Sequence, residues 1–146
     1  MQVREIMTRD VCIISPEETL QTAASRMAQL DVGVLPVGEG DRLVGMITDR
    51  DIVVRGVAEG KAPSAKVRDA MTPEIKYCFV DQEIDEIAEN MADIQIRRLP
   101  VLDRDKRLVG ILSLCDLATS DELEQATEAL CGISRPSTIF PQVPAA

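Results

Sequence analysis

A hydroxyl residue followed three positions later by an aspartate occurs twice, each time directly after an apolar run. The two pairs are Thr48 with Asp51 and Ser113 with Asp116. A hydroxyl where a buried strand turns into a helix can satisfy a free backbone N–H or help to hold an anion. An aspartate one turn further in can accept hydrogen bonds from a sugar diol. These two corners are the strongest indication of function in the sequence.

Catalysis and metal binding have little support. The sequence has no histidine, so it offers no imidazole base and no histidine ligand for zinc. Its four cysteines, Cys12, Cys78, Cys115 and Cys131, are widely spaced and form no C-x-x-C pair. Their mainly apolar flanks predict buried free thiols. A thiol redox sensor is a lesser alternative, which would need an exposed thiol of low pKa.

Composition and charge narrow the class of protein further. The 146 residues are 45% hydrophobic and 28% charged, as in a globular protein. A net charge of −9 argues against nucleic-acid binding, which needs clustered Lys and Arg. No apolar run approaches the length of a membrane span, so we expect a soluble cytoplasmic protein.

The chain contains an internal duplication. Three motifs recur in the same order, with shifts of 64, 64 and 65 residues. They are Val3-Arg4-Glu5-Ile6-Met7-Thr8 with Val67-Arg68-Asp69-Ala70-Met71-Thr72, Leu35-Pro36-Val37 with Leu99-Pro100-Val101, and Leu43-Val44-Gly45 with Leu108-Val109-Gly110. Two copies of one supersecondary unit are therefore predicted.

Each copy predicts the order β-α-β-β-α. Strands are predicted over 11–14, 32–37 and 43–48, and again over 75–80, 95–102 and 108–113. Helical spacing gives one apolar stripe in each copy: Leu20, Ala23, Ala24, Met27 and Leu30, then Ile84, Ile87, Ala88, Met91 and Ile94. Closing helices are predicted over 51–58 and from 116 onward. Residues 15–18 resemble a capping box at the start of the first helix, but the matching positions of the second copy, 79–82, do not. The sequence therefore leaves the first residue of that helix open by a few positions.

A further helix is predicted after the second copy, over 121–130. Ser120 could cap it, and Gly132 would end it. Its apolar stripe would consist of Leu123, Ala126, Thr127 and Leu130. The Pro-containing tail, 134–146, has no periodicity.

The duplicated unit resembles the cystathionine-β-synthase (CBS) domain, and the pair resembles the Bateman module, especially the small stand-alone bacterial proteins of the hypoxic-response type. The Met-Thr starts, the Leu-Pro-Val strands and the Leu-Val-Gly-x-x-[Thr/Ser]-x-x-Asp corners carry this resemblance over residues 1–119. It implies an α/β (α+β) fold in which two units pack about a pseudo-twofold axis. The expected division is unit 1 at 1–60, linker at 61–66, unit 2 at 67–119, and C-terminal helix and tail at 120–146.

The resemblance also implies adenosine-binding clefts between the units. Asp51 and Asp116 would bind the ribose hydroxyls, with Thr48 and Ser113 near ribose and phosphate. Met46 and Ile111 would line the adenine pockets. The remaining residues implied are Ser15, Val32 and Gly33, which would complete the Asp116 pocket, and Arg50, Arg97 and Arg98, which are candidate phosphate contacts.

The two corners differ in sequence, so unequal affinities are predicted. Asp49-Arg50 becomes Leu114-Cys115, and Gly33-Val34 becomes Arg97-Arg98. Arg50 would oppose the dipole of its helix, a conflict that an anionic ligand would relieve. Strand alternation predicts that at most one of Arg97 and Arg98 points into a given cleft.

The leading hypothesis is a non-catalytic regulatory module that binds AMP, ATP or NAD and acts on an unknown protein in trans. No cofactor is required, and the resemblance implies a homodimer. The alternative is a protein-interaction module with empty clefts, working through dimerisation and its C-terminal helix. A response to a nucleotide would separate the two. Each aspartate could also be merely a solvated acid at a helix start, and each hydroxyl merely a cap.

Overall fold

The architecture is mixed α/β, as predicted. The structure, a computed structural model, describes residues 1–73, 75–120 and 123–135. Their helices and strands are, in order, α1 (Leu20–Leu30), β1 (Val34–Glu39), β2 (Arg42–Thr48), α2 (Asp49–Asp51), β3 (Cys78–Phe79), α3 (Ile84–Ile94), β4 (Arg98–Leu102), β5 (Leu108–Ser113), α4 (Leu114–Thr119) and α5 (Leu123–Ile133). The helix α2 continues through a π-helical turn, Ile52–Gly56, and a 3-10 turn, Val57–Glu59. None of these helices is long and apolar enough to cross a membrane.

The strands form one small sheet in each half of the molecule. In the first, β1 pairs antiparallel with β2. In the second, β4 pairs antiparallel with β5 and parallel with β3. The strand predicted over 11–14 is wrong, because only Ile14 bridges to β1, through Val37. A turn begins at the next residue, where the N–H of Glu18 donates to the carbonyl of Ser15, and it ends the pairing.

The first helix begins later than the capping pattern indicated. The backbone N–H of Ser15 does donate to Glu18 Oε2 at 2.7 Å, but this bond closes an isolated turn. Thr19 then adopts an extended conformation and caps α1 by accepting from the N–H of Thr22 at 3.1 Å. Of the predicted stripe, Leu20, Ala23 and Met27 are buried, whereas Ala24 and Leu30 are exposed.

The hydrophobic residues form two cores, and each is completed by the opposite repeat. Val3 and Met7, at the start of the first repeat, lie in the core built around α3, β4 and β5. Val67 and Ala70, at the start of the second, lie in the core built around α1, β1 and β2. We call residues 3–8 and 67–72 the crossing segments. The predicted division of the sequence into units 1–60 and 67–119 stays a prediction. Each packed half contains the crossing segment of the other unit, so the halves and the units differ at these segments.

Among the described residues, each crossing segment forms four backbone hydrogen bonds with the opposite half, and two of them lie at its threonine. Thr8 exchanges N–H···O bonds with Ile111 of β5, both 2.9 Å long. Thr72 does the same with Met46 of β2, at 2.8 and 3.0 Å. Glycines make this approach possible, since a Cβ on Gly110 would lie 2.7 Å from the carbonyl oxygen of Thr8 and one on Gly45 would lie 2.9 Å from that of Thr72.

The C-terminal helix packs with a face that shares only Ala126 with the predicted stripe. Its buried residues are Ala126, Ala129 and Gly132, whereas Leu123 and Leu130 are 64% and 52% exposed. Small residues decide the contact, because a Cβ on Gly132 would lie 2.3 Å from the Cβ of Ala92 on α3. The first predicted helix residues, 121–122, and most of the tail, 136–146, lie outside the described residues.

Candidate functional site

The two Thr/Ser–Asp corners are reciprocal capping boxes. Thr48 Oγ1 accepts from the N–H of Asp51 at 3.0 Å, and Asp51 Oδ2 accepts from the N–H of Thr48 at 3.0 Å. In the second corner, Ser113 Oγ accepts from the N–H of Asp116 at 3.1 Å, and Asp116 Oδ2 accepts from the N–H of Ser113 at 2.8 Å. The hydroxyl and the acid thus both stabilise the helix start. The [Thr/Ser]-x-x-Asp spacing was the signal for this structural role of the acid.

Each capping box uses only one oxygen of its carboxylate. Among the described residues, Asp51 Oδ1 accepts no hydrogen bond, while Asp116 Oδ1 accepts a long one, 3.4 Å, from Thr8 Oγ1. Both aspartates are half-buried. Capping and ligand binding are therefore compatible, because the second oxygen can still accept from a bound hydroxyl.

The helix starts themselves offer little to an anion. In α2 the N–H of Asp49 donates to the carbonyl of Gly33, that of Arg50 to Asp49 Oδ1, and that of Asp51 to the Thr48 hydroxyl. In α4 the N–H of Leu114 donates to the carbonyl of Arg97. An anionic group at the first corner would therefore depend on side chains.

Two clefts flank these corners, and each is lined by both repeats. The cleft that contains Asp51, about 570 Å³, is the Asp51 cleft; the other, about 300 Å³, is the Asp116 cleft. The Asp51 cleft is lined by Gly33, Val34, Met46, Thr48, Asp49, Arg50, Asp51, Thr72, Ile75, Lys76, Ile96, Arg97, Arg98 and Pro100. The Asp116 cleft is lined by Thr8, Asp10, Val11, Cys12, Leu30, Val32, Val34, Leu35, Pro36, Arg98, Ile111, Ser113 and Asp116.

Most of the predicted site residues line these clefts, but the structure places Gly33 and Ser15 elsewhere than expected. Gly33 lines the Asp51 cleft rather than the Asp116 cleft, because its carbonyl caps α2. Ser15 lines neither cleft, since its hydroxyl accepts from the N–H of Glu17 at 3.2 Å within the turn. Val32 lines the Asp116 cleft.

For Arg97 and Arg98, strand alternation predicted that at most one would point into a given cleft. Both line the Asp51 cleft, and Arg98 lines the Asp116 cleft as well. The strand β4 begins at Arg98, so Arg97 precedes the pleated strand and alternation does not constrain it.

The sequence reasoning missed the wall that the repeat starts contribute. Thr8 and Cys12 line the Asp116 cleft, and their equivalents at a shift of 64, Thr72 and Lys76, line the Asp51 cleft. Matched threonines that end both Met-Thr motifs were the available signal. Sequence patterning alone does not show that these segments cross to the opposite half.

The thiols are more accessible than predicted. Cys115 and Cys131 are exposed, Cys12 is half-buried, and only Cys78 is fully buried. Burial raises the pKa of Cys78 to about 12. The exposed thiols lie on α4 and α5, whose outer faces no described segment covers. Among the described residues, no group of three or more Cys, Asp or Glu side chains could hold a metal ion.

Comparison with known proteins identifies relatives of the same size. The family described as "CBS domain" matches residues 3–56 and 67–121. The CBS domain-containing protein YhcV of Bacillus subtilis is 41% identical over 133 residues, 90% of this chain and 94% of the relative.

Solved structures show the same fold. Hypoxic Response Protein I, determined with two coordinated zinc ions, superposes with a TM-score of 0.74 at 40% identity, over 81% of this chain and 97% of that one. The CBS domain pair of protein MJ0100, in complex with 5′-methylthioadenosine and S-adenosyl-L-methionine, gives a TM-score of 0.72 at 26% identity, over 81% and 93% of the two chains.

Proposed function

The chain belongs to the CBS domain family, and from this membership we propose that it is a regulatory module that binds an adenine nucleotide between its two repeats. One observation carries the proposal: each repeat ends a strand in a capping box whose aspartate lines a cleft and uses only one carboxylate oxygen for the cap. The complex of the MJ0100 pair with two adenosine compounds supports this choice of ligand.

The cleft walls suit a nucleoside. The apolar side chains of Met46 and Ile111 would contact adenine, and the second oxygens of Asp51 and Asp116 would accept from the ribose hydroxyls. The ligand would fix the relative position of the two halves, since every cleft has walls from both. We propose that this change is transmitted in trans to a partner protein, with AMP, ATP or NAD as candidate signals and no chemical step.

Zinc binding, as in the structure of Hypoxic Response Protein I, is not part of this proposal. The present chain has no histidine, and its described residues bring together no metal-binding group.

A thermal-shift screen with AMP, ADP, ATP, NAD and S-adenosylmethionine tests the proposal. A ligand at a hundredfold excess over its Kd should stabilise the fold by about 2.7 kcal/mol. The double variant Asp51→Asn, Asp116→Asn should lose this shift, because a neutral amide binds the ribose hydroxyls less strongly but can still accept the capping bond.

The matched control is Thr19→Ala, which removes the cap of α1 outside both clefts. It should cost about 1 kcal/mol of stability while retaining both carboxylates and the ligand-induced shift. Equal shifts in the wild type and the Asn variant would contradict the ribose role. No shift with any ligand would favour the empty-cleft interaction module, which the exposed Leu123 and Leu130 of α5 otherwise support.

We also propose that the chain forms a homodimer through the outer face of the helical stretch that follows β2. Val53, Val54 and Val57 are adjacent there and 58%, 43% and 69% exposed. A cluster of exposed valines is typical of a contact surface between copies. Light scattering after gel filtration should give twice the chain mass, and Val57→Glu should give the monomer. Leu123→Glu, on α5, should remain dimeric; a wild-type monomer at high concentration would rule the interface out.

A further inference from the structure

We propose that the two clefts select different classes of adenosine compound. The Asp51 cleft takes nucleotides with a phosphate chain, and the Asp116 cleft takes adenosine compounds whose 5′ substituent is neutral or cationic. This inference rests on the proposed function and adds the chemical class of ligand for each cleft.

The Asp51 cleft is locally basic although the whole chain carries a net charge of −9. Its described lining has four basic side chains, Arg50, Lys76, Arg97 and Arg98, against the two acids Asp49 and Asp51, a formal balance of +2. Within the described residues, no carboxylate forms an ion pair with Lys76, Arg97 or Arg98. Lys76, Arg97 and Arg98 are therefore available to phosphate oxygens, whereas the backbone amides at the start of α2 are not.

The Asp116 cleft has the opposite balance. Its described lining contains the acids Asp10 and Asp116 and the single base Arg98, a formal balance of −1. It is also about half as large, about 300 Å³ against about 570 Å³. A phosphate chain would lie near two carboxylates there, whereas a thioether, a sulfonium or an amine would not be repelled.

The difference in charge between the clefts comes from basic residues whose equivalents in the other repeat are uncharged. Lys76, Arg97 and Arg98 correspond, at a shift of 64, to Cys12, Gly33 and Val34. The corner residue Arg50 corresponds to Cys115 at a shift of 65. All four differences place the basic residue in or beside the Asp51 cleft. The two repeats therefore share the residues proposed to contact ribose and differ at the residues that would contact the 5′ substituent.

Calorimetric titration with ATP and 5′-methylthioadenosine tests this assignment, because the two probes share adenosine and differ at the 5′ position. The double variant Lys76→Gln, Arg97→Gln should bind ATP about tenfold more weakly, since two charge-assisted contacts at exposed positions are lost. Its affinity for 5′-methylthioadenosine should change less than twofold. Lys106→Gln, which removes an exposed cation outside both clefts, is the control and should alter neither affinity.

The converse variant gives the Asp116 cleft a cation. Cys12→Lys reproduces Lys76 at its equivalent position and should create a second ATP site, while Asp116→Asn should weaken 5′-methylthioadenosine and leave the ATP site intact. If both probes compete for one cleft, or the Lys76/Arg97 variant weakens both equally, the charge assignment is overturned and nucleotide binding stands. If neither probe binds the wild type, the proposed function itself fails.

Discussion

Replacing Val3 with aspartate is expected to open the second core, although Val3 belongs to the first repeat. Its side chain is 0% exposed and lies in the cluster with Cys78, Ile84 and Leu112. A carboxylate there removes a buried apolar group and has no basic partner in that cluster. We expect a loss of about 4 kcal/mol or more, a large part of the 5–15 kcal/mol that stabilises an ordinary domain.

The thiol of Cys78 reports which half opens. It is buried in the second core, and burial raises its pKa to about 12, so its thiolate is scarce at pH 8 in the folded protein. With Cys12, Cys115 and Cys131 changed to serine, a thiol reagent at pH 8 should label Cys78 rapidly in the Val3→Asp variant and slowly in the parent.

The matched control is Val67→Asp, at the equivalent position of the second repeat. Val67 is also 0% exposed, but it lies in the core of α1, β1 and β2. This variant should be similarly unstable by denaturant titration, yet Cys78 should stay better protected than in Val3→Asp. Equal protection of Cys78 in Val3→Asp and in the parent would refute the crossing arrangement.

A second large effect is expected from Gly132→Val, which should detach α5 from α3. A Cβ at Gly132 would lie 2.3 Å from the Cβ and 2.5 Å from the Cα of Ala92, so the clash involves backbone that cannot move aside. Overpacking of this kind costs about 1–3 kcal/mol or more. Because α5 contributes only the small residues Ala126 and Ala129 to the buried residues of the second core and carries exposed leucines, we expect it to separate while β4 and β5 stay paired.

Hydrogen exchange would detect this local separation. The amides of Ala126 and Ala129 should lose protection in Gly132→Val, while those of β4 and β5 keep theirs. Leu130→Ala, on the exposed face of the same helix, is the control and should leave the protection of α5 nearly unchanged. Full protection of α5 in Gly132→Val would show that the close contact with Ala92 is not needed for docking.

The parts of the fold that depend on residues close together in the sequence could be predicted. The strands near β2 and β5, the helix α3 and both corners follow from apolar runs, helical spacing and a hydroxyl at the turn. The first strand failed because β-forming residues at 11–14 do not by themselves supply a pairing partner. The packing face of α5 was predicted only in part, because hydrophobic patterning ranks small residues low although they allow the closest approach between helices.

The candidate site divides in the same way. Each corner is local, so Thr48, Asp51, Ser113 and Asp116 could be found from their spacing. Each opposite wall comes from a segment of the other repeat, at least 21 residues (72 − 51) from the corner aspartate, such as Thr72 beside Met46 or Thr8 beside Ile111. Only the tertiary structure brings Lys76 and Arg97 to the Asp51 cleft. The difference in charge between the clefts, unlike the existence of two corners, therefore required the structure.

The crossing segments bear on how this chain could have originated. A protein made of a single repeat could not place its own first residues in its own core, because each Met-Thr segment completes the other half. An ancestor with the same packing would have needed a second copy to supply this segment. The internal repeat, with shifts of 64 and 65 residues, is what joining two such copies in one polypeptide would leave. Once they were joined, each cleft could change independently, and the Lys76/Cys12 and Arg97/Gly33 differences became accessible to evolution.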